Sequence, residues 1–220
     1  MNNTYELIIF DLDGTILDTL EDLMDATNHA LETYHYPTRT LEEVRTFVGN
    51  GLHRLAELAV PANTDKEKVE AVYEELVSFY QTHCDIKTKP YDGICEVINT
   101  LKEKGCKTAI VSNKADAAVQ ILKEQYFPGL FEMAVGENEK MGIKRKPAPD
   151  TVYTVLEHFK VDKTNTVYIG DSEVDLATAR NAGINCIAVS YGFRGKEFLK
   201  QQGALIIADT PLDILVALNK

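Results

Sequence analysis

Four short apolar runs recur along this chain with almost no polar interruption: Leu7-Ile8-Ile9-Phe10, Thr108-Ala109-Ile110-Val111, Thr166-Val167-Tyr168-Ile169 and Cys186-Ile187-Ala188-Val189. A weaker fifth stands at Leu205-Ile206-Ile207. A strand with one wet face alternates apolar and polar residues. A continuous run suits a strand covered on both faces, which is the condition of a parallel sheet. Helical patterns separate the later runs. Gly93–Lys104 carries Ile94, Val97, Ile98 and Leu101; Lys114–Tyr126 carries Ala118, Ile121 and Leu122; Thr151–Phe159 carries Val152, Val155, Leu156 and Phe159; Val174–Ala182 carries Leu176 and Ala179. Strand and helix in alternation predict a doubly wound α/β domain.

One stretch breaks that rhythm. From the first run to about Asp85 there is no convincing strand. Leu20, Leu23, Met24, Thr27, Leu31 and Tyr34 recur at helical spacing, as do Val69, Val72, Tyr73, Leu76, Val77 and Tyr80. Shorter helices are expected over Leu41–Val48 and Gly51–Val60, and Lys87–Gly93 reads as the return linker, punctuated by Pro90 and Asp92-Gly93. The fold class expected is therefore α/β, a doubly wound parallel-sheet (Rossmann-like) core with an inserted all-helical cap. The core would comprise residues 1–17 and 86–220, and the cap residues 18–85. A chain of 220 residues has room for one such domain and a smaller insertion.

Composition narrows the partners. The 23 basic against 34 acidic residues give a net charge of −11. Such a field repels nucleic acid and anionic lipid, whose binding depends on Lys and Arg neutralising phosphates. A small phosphate remains compatible if positive charge is concentrated locally, and a bound divalent cation is one source of it. No stretch approaches the length of a membrane span. The polar N-terminus lacks a basic segment and a cleavage site, so no signal peptide is expected. Cys84, Cys95, Cys106 and Cys186 form no CxxC pair and read as reduced thiols of a cytoplasmic protein. The five histidines show no ligand-like spacing.

The chemistry-bearing residues cluster at the ends of the apolar runs. Asp11-Leu12-Asp13-Gly14-Thr15 follows the first run directly. Alternate residues of an extended chain point the same way, so Asp11 and Asp13 can share a site. The carboxyl end of a parallel strand is where open α/β sheets bind ligands. Two close carboxylates repel each other, and a hard divalent cation such as Mg²⁺ relieves that repulsion. Gly170-Asp171-Ser172-Glu173-Val174-Asp175 repeats the pattern after the third run. There Asp171 is a candidate ligand, and Asp175 is either its support or a helix cap. Ser112-Asn113 ends the second run and reads as a phosphoryl-oxygen donor at a helix start, or as a plain helix cap. In Lys144-Arg145-Lys146-Pro147-Ala148-Pro149, the prolines restrict the backbone and make Lys146 a fixed cation. Carboxylates, a hydroxyl and a lysine on separate strand ends together suit phosphoryl transfer, since an attacking carboxylate needs positive charge to approach a phosphate.

These four motifs, in this order and over essentially the whole chain, resemble the haloacid dehalogenase superfamily of phosphohydrolases. The resemblance implies Asp11 as nucleophile, forming an aspartyl-phosphate, and Asp13 as general acid and then base. It implies that Ser112 and Lys146 hold the phosphoryl group. Mg²⁺ would be bound by Asp11, the Asp13 carbonyl and Asp171, with Asp175 supporting that site. Asp13 argues against the dehalogenase branch, which lacks this second Asp. Leu12-Asp13 argues against the P-type ATPases, which carry Lys-Thr there. Val48-Gly49-Asn50-Gly51 in the cap and Tyr191-Gly192 resemble the phosphoglycolate phosphatase group, although Phe193-Arg194-Gly195 fits that group only loosely. Expected substrate contacts are Gly14, Thr15 and Asn113 in the core and Gly49, Asn50 and Arg54 in the cap, with Arg54 facing a substrate carboxylate.

The function expected is thus a Mg²⁺-dependent phosphatase of a small phosphorylated metabolite, with phosphoglycolate leading, acting as a monomer or homodimer without nucleic-acid or membrane partners. Alternatives within the superfamily are an inorganic pyrophosphatase, a sugar-phosphate or nucleotide phosphatase, and a phosphosugar mutase. A phosphoaccepting signalling module would use a similar acidic cluster, cation, hydroxyl and lysine. It lacks a helical insertion, however, and places its phosphoacceptor on a later strand.

Overall fold

The computed structural model describes residues 5–219. The chain divides into two compact units, one built from the chain up to Leu17 together with Pro90 onward, the other from Asp18–Lys89.

The first unit is a six-stranded parallel sheet flanked by helices. Its strands are β1 (Leu7–Phe10), β4 (Lys107–Ala115), β5 (Met133–Glu137), β6 (Thr166–Gly170), β7 (Asn185–Val189) and β8 (Ile207–Ala208). Its helices are α5 (Ile94–Glu103), α6 (Asp116–Tyr126), α7 (Asp150–Phe159), α8 (Glu173–Ala182), α9 (Lys196–Gln201) and α10 (Asp213–Ala217). The order across the sheet is β5-β4-β1-β6-β7-β8, so the winding reverses beside β1. Ligand crevices of open α/β sheets lie at such a reversal, outside the carboxyl ends of the strands. Phe10 is in register with Ile110 of β4 and Ile169 of β6, which brings the residues just beyond all three together.

All four residues of β1 are fully buried, as a strand covered on both faces requires. Leu7 and Ile9 pack with Val152 and Val155 of α7 and Ala179 of α8. Phe10 faces the other way and meets Phe131 edge-on at 5.8 Å. Fully burying a side chain of this size stabilises by roughly 1.5–3 kcal/mol.

Two departures from the sequence expectation have one cause. β5 is missing from the list of apolar runs, and the weak run at Leu205–Ile207 is shifted, its strand being Ile207–Ala208 with Leu205 96% exposed. Both are edge strands. An edge strand is covered less completely, so it carries no continuous apolar run. A third departure bears on the site: β4 runs on to Ala115, which pairs with Glu137 after an irregularity, so α6 begins at Asp116 rather than at Lys114.

The second unit is all helical apart from its connections: α1 (Leu20–Thr33), α2 (Leu41–Phe47), α3 (Gly51–Ala59) and α4 (Lys66–His83). α1 and α3 pack along α4, burying Leu23, Ala30, Leu31, Leu55, Val72, Leu76 and Tyr80. Tyr34 falls just past the last turn of α1 and is 39% exposed, so the apolar stripe ends before it. The start of α2 is fixed by a reciprocal pair: Thr40 Oγ1 accepts from the Glu43 N–H, and the Glu43 carboxylate accepts from the Thr40 N–H. The crossing segments β2 (Leu17–Asp18) and β3 (Lys89–Pro90) pair with each other. The buried Asp22 carboxylate accepts the backbone N–H groups of Lys87 and Thr88, anchoring the return segment.

Candidate active site

The loop after β1 is a tight fold-back. The Asp11 N–H donates to the Ile169 carbonyl at 2.8 Å, so Asp11 continues the sheet register. The Leu12 carbonyl then accepts from Thr15, Ile16 and Leu17, and Leu12 itself is fully buried. Gly14 has φ +83°, and a Cβ there would collide with the Asp171 carboxylate and the Phe193 ring. Glycine is therefore required by conformation and by space. A Cβ on Gly192 would likewise strike the Gly14 carbonyl and Asp171. Thr15 is wholly buried; its carbonyl accepts from the Tyr191 hydroxyl at 2.9 Å, and its own hydroxyl has no partner. Gly14 and Thr15 thus close the loop against Asp171 and the segment from Tyr191 to Phe193.

Lys146 sits at the centre of the buried charges. Its ammonium lies 2.8 Å from Asp11 Oδ1, 2.7 Å from Asp175 Oδ1 and 3.1 Å from the Tyr168 hydroxyl. An ammonium has three protons, and these partners take all three. Asn113 sets its backbone: the Lys146 N–H donates to Asn113 Oδ1 at 2.7 Å, and Asn113 Nδ2 donates to the Lys146 carbonyl at 3.1 Å. The amide expected to touch substrate is therefore engaged in holding the lysine loop. Asp175 is shared between two structures. Ser172 caps α8 with Asp175 at the third helical position, so Asp175 Oδ2 accepts from the Ser172 N–H and hydroxyl while Oδ1 accepts from Lys146. Asp175 therefore completes the cap of α8 and pairs with Lys146 at the same time.

Ser112, 2% exposed, lies within β4 rather than at a helix start. Its Oγ accepts from the Lys114 N–H at 3.2 Å. The Lys114 ammonium pairs with Asp13 Oδ1 at 2.9 Å, and its side chain is only 6% exposed. Lys114 was missed because its place just past the apolar run reads as the first turn of a helix; the strand extension puts it, like Ser112, on the site side of β4. Tyr168 was missed as an ordinary core residue of its run.

The electrostatics follow from burial. Desolvation first, and the nearby Asp175 next, push the Asp11 carboxyl up to about 7, against the opposing pull of Lys146. Burial likewise raises Asp171 well above the usual carboxylate range, with Asp175 and Asp11 adding to it. For Lys146 burial alone would lower the pKa, but Asp11 and Asp175 outweigh it and the ammonium is held. Asp11, Asp171 and Asp175 each place a carboxylate oxygen within 4.8 Å of the others. Burial thus disfavours full ionisation of the metal-free cluster; with all three carboxylates ionised against one ammonium, two negative charges would remain for a divalent cation to balance. Asp175 has both oxygens in hydrogen bonds. Asp171 Oδ2 accepts from the Phe193 N–H at 2.6 Å and Asp11 Oδ1 pairs with Lys146, so Asp11 Oδ2 and Asp171 Oδ1 are the oxygens suited to a hard metal ion.

The remaining expected contacts belong to the helical unit. Gly49 has φ +111° and precedes Asn50, which starts α3 without a side-chain cap. Arg54 pairs with Glu57 at 2.7 Å and is about half exposed.

With this geometry in place, comparison with known proteins assigns the chain. The profile of the haloacid dehalogenase-like hydrolases matches residues 8–189, most of the chain, and the chain belongs to that family of enzymes. It is similar to a phosphoglycolate phosphatase of Pseudomonas syringae pv. tomato, 32% identical over 209 residues, covering 93% of this chain and 76% of that one. An N-acetylmuramic acid 6-phosphate phosphatase of Pseudomonas aeruginosa is 26% identical over 220 residues, covering 97% and 94%. Among solved structures, a candidate phosphoglycolate phosphatase of Lactobacillus delbrueckii subsp. bulgaricus superposes with a TM-score of 0.93 at 39% identity, with 98% of each chain covered. Among the described residues, no helix is long and apolar enough to cross a membrane.

Proposed function

We propose that this enzyme is a Mg²⁺-dependent phosphatase of small phosphomonoesters, with 2-phosphoglycolate as its leading substrate, working through an aspartyl-phosphate on Asp11. The observation that carries the reading is the buried Asp11 carboxylate, one oxygen held by Lys146 and the other with no hydrogen bond to it among the described residues. In this mechanism the Asp11 carboxylate attacks phosphorus, and the bond to the ester oxygen breaks as Asp13 gives that oxygen a proton. Asp13 then takes a proton from the water that attacks the aspartyl-phosphate, which returns Asp11 and releases phosphate. The Ser112 hydroxyl donates to a phosphoryl oxygen. Lys146 neutralises Asp11 and keeps it oriented. Asp11, the Asp13 carbonyl and Asp171 would hold Mg²⁺, which supplies the positive charge that lets a carboxylate approach a phosphate.

Two of the similar enzymes are named for phosphomonoesters that also carry a carboxylic acid, which supports an acid-bearing substrate. The unbridged cysteines support a cytoplasmic setting. The test is phosphate release at fixed Mg²⁺ from a panel of 2-phosphoglycolate, N-acetylmuramic acid 6-phosphate, sugar phosphates, nucleoside monophosphates and pyrophosphate. The highest kcat/KM should fall on a carboxylate-bearing monoester. Exclusive turnover of pyrophosphate would replace this reading with that of a pyrophosphatase.

A further inference from the structure

We infer that Lys114 reads the non-reacting acid group of the substrate, exchanging its ion pair with Asp13 for one with the substrate carboxylate. The inference rests on the phosphatase reading above and deepens it. Two lysine side chains are nearly buried at the strand ends, Lys146 at 3% and Lys114 at 6% exposure. The three protons of Lys146 are already taken by Asp11, Asp175 and Tyr168. Lys114 is placed differently. It stands 2.9 Å from Oδ1 of Asp13, whose side chain is 21% exposed, so the pair borders the solvent-accessible side of the cluster.

The substrate's own geometry makes this position informative. The group that protonates the leaving oxygen must touch that oxygen. In a phosphorylated 2-hydroxy acid, the carboxylate oxygens are three bonds from the ester oxygen. A cation within hydrogen-bond distance of the proton donor is therefore within reach of the carboxylate. In a protein of net charge −11, an acid-bearing phosphate needs a counter-charge for each end. The Asp11–Lys146 cluster, with its cation site, serves the phosphoryl end, and Lys114 serves the other. Lys114 is thereby a specificity-determining residue: a substrate without the acid leaves it on Asp13.

The experiment compares kcat/KM for 2-phosphoglycolate with that for ethyl phosphate, which has the same reacting ester and no carboxylate. The wild-type enzyme should prefer 2-phosphoglycolate. Lys114→Met should lower the ratio of the two by roughly 10- to 100-fold, the size of one charge-assisted hydrogen bond, chiefly through KM for the acid. Lys114→Arg, which keeps the charge, should hold the ratio within about threefold. Lys114→Gln serves the same comparison should Lys114→Met not fold. Equal losses on both esters would show that Lys114 acts through Asp13 alone and would overturn the inference. So would an unchanged ratio, or a ratio that collapses in Arg54→Ala and not in the Lys114 variants. Wild-type enzyme that releases phosphate from neither ester would remove 2-phosphoglycolate as the leading substrate, and this inference with it.

Discussion

The same kinds of charged side chain behave in opposite ways in the two units. In the helical unit, Arg54 pairs with Glu57 at 2.7 Å and His53 with Glu70 at 3.1 Å, every partner between 38% and 52% exposed. In the sheet unit, Asp11, Lys146 and Asp175 pair at similar distances with side-chain exposures of 9%, 3% and 0%. Distance alone does not separate the two groups. Solvent does, because water screens the first set and has been removed from the second. A buried charge without its partner is expensive, so the sheet-unit charges are locked to one another, whereas the helical-unit side chains, linked as they are through Glu57 and His53, remain in contact with water. That contrast can be broken or sharpened by experiment.

The largest effect is expected at the nucleophile. Asp11→Asn keeps shape and hydrogen bonding but removes the attacking oxygen. Phosphate release should fall by about ten-thousandfold or more while circular dichroism stays native. Turnover within tenfold of wild type would remove Asp11 from the reaction.

Next comes Lys146. Lys146→Met leaves Asp11 and Asp175 buried without their shared cation, and breaking a buried pair on one side costs about 3–5 kcal/mol. Denaturant unfolding should show that loss near pH 8, and less of it near pH 5, where the raised Asp11 carboxyl can hold a proton instead. A loss below about 1 kcal/mol near pH 8 would mean that the cluster is as well screened as the surface pairs.

A smaller and more diagnostic effect is the linkage of pH and metal. The Asp11 carboxyl is raised from 3.8 to about 7 in the folded chain. Between those values the folded state holds a proton that the unfolded chain has released. Without metal, this group's contribution to stability therefore falls as pH rises from about 4 to about 7. A divalent cation competes with that proton and gains as it leaves. The rise in Tm on adding Mg²⁺ should accordingly be greater near pH 8 than near pH 5.5. An equal shift at both values would place the ion elsewhere than on Asp11.

How much of this was legible in the sequence follows the same division between covered and uncovered elements. β1, β6 and β7 could be read because burial on both faces writes a continuous apolar run. β5 and β8, at the edges, leave no such run. Asp11, Asp13, Ser112, Lys146, Asp171 and Asp175 could be picked out because each stands at a strand end or beside prolines. Lys114 and Tyr168 could not. The position of Lys114 depends on β4 pairing with β5 as far as Ala115, which is a fact about another segment of the chain. The role of Tyr168 depends on a hydroxyl that reaches across to Lys146 and Asp175 from a side chain otherwise indistinguishable from core. The engagement of Asn113 with the Lys146 backbone is likewise a contact between residues 33 apart.

The smallest expected effect tests the other half of the contrast. Arg54 and Glu57 are one turn apart on α3, both substantially exposed. Their attraction is opposed by the entropy of holding two long side chains in one geometry, and salt screens what is left. Arg54→Ala should therefore change unfolding stability by no more than about 0.5 kcal/mol, and raising the salt concentration should erase even that. A loss of several kcal/mol that persists at high salt would show that this pair, which shares Glu57 with His53, is not the screened surface contact its exposure indicates. The division between a desolvated interior cluster and screened surface pairs would then fail at the residue where it is easiest to check.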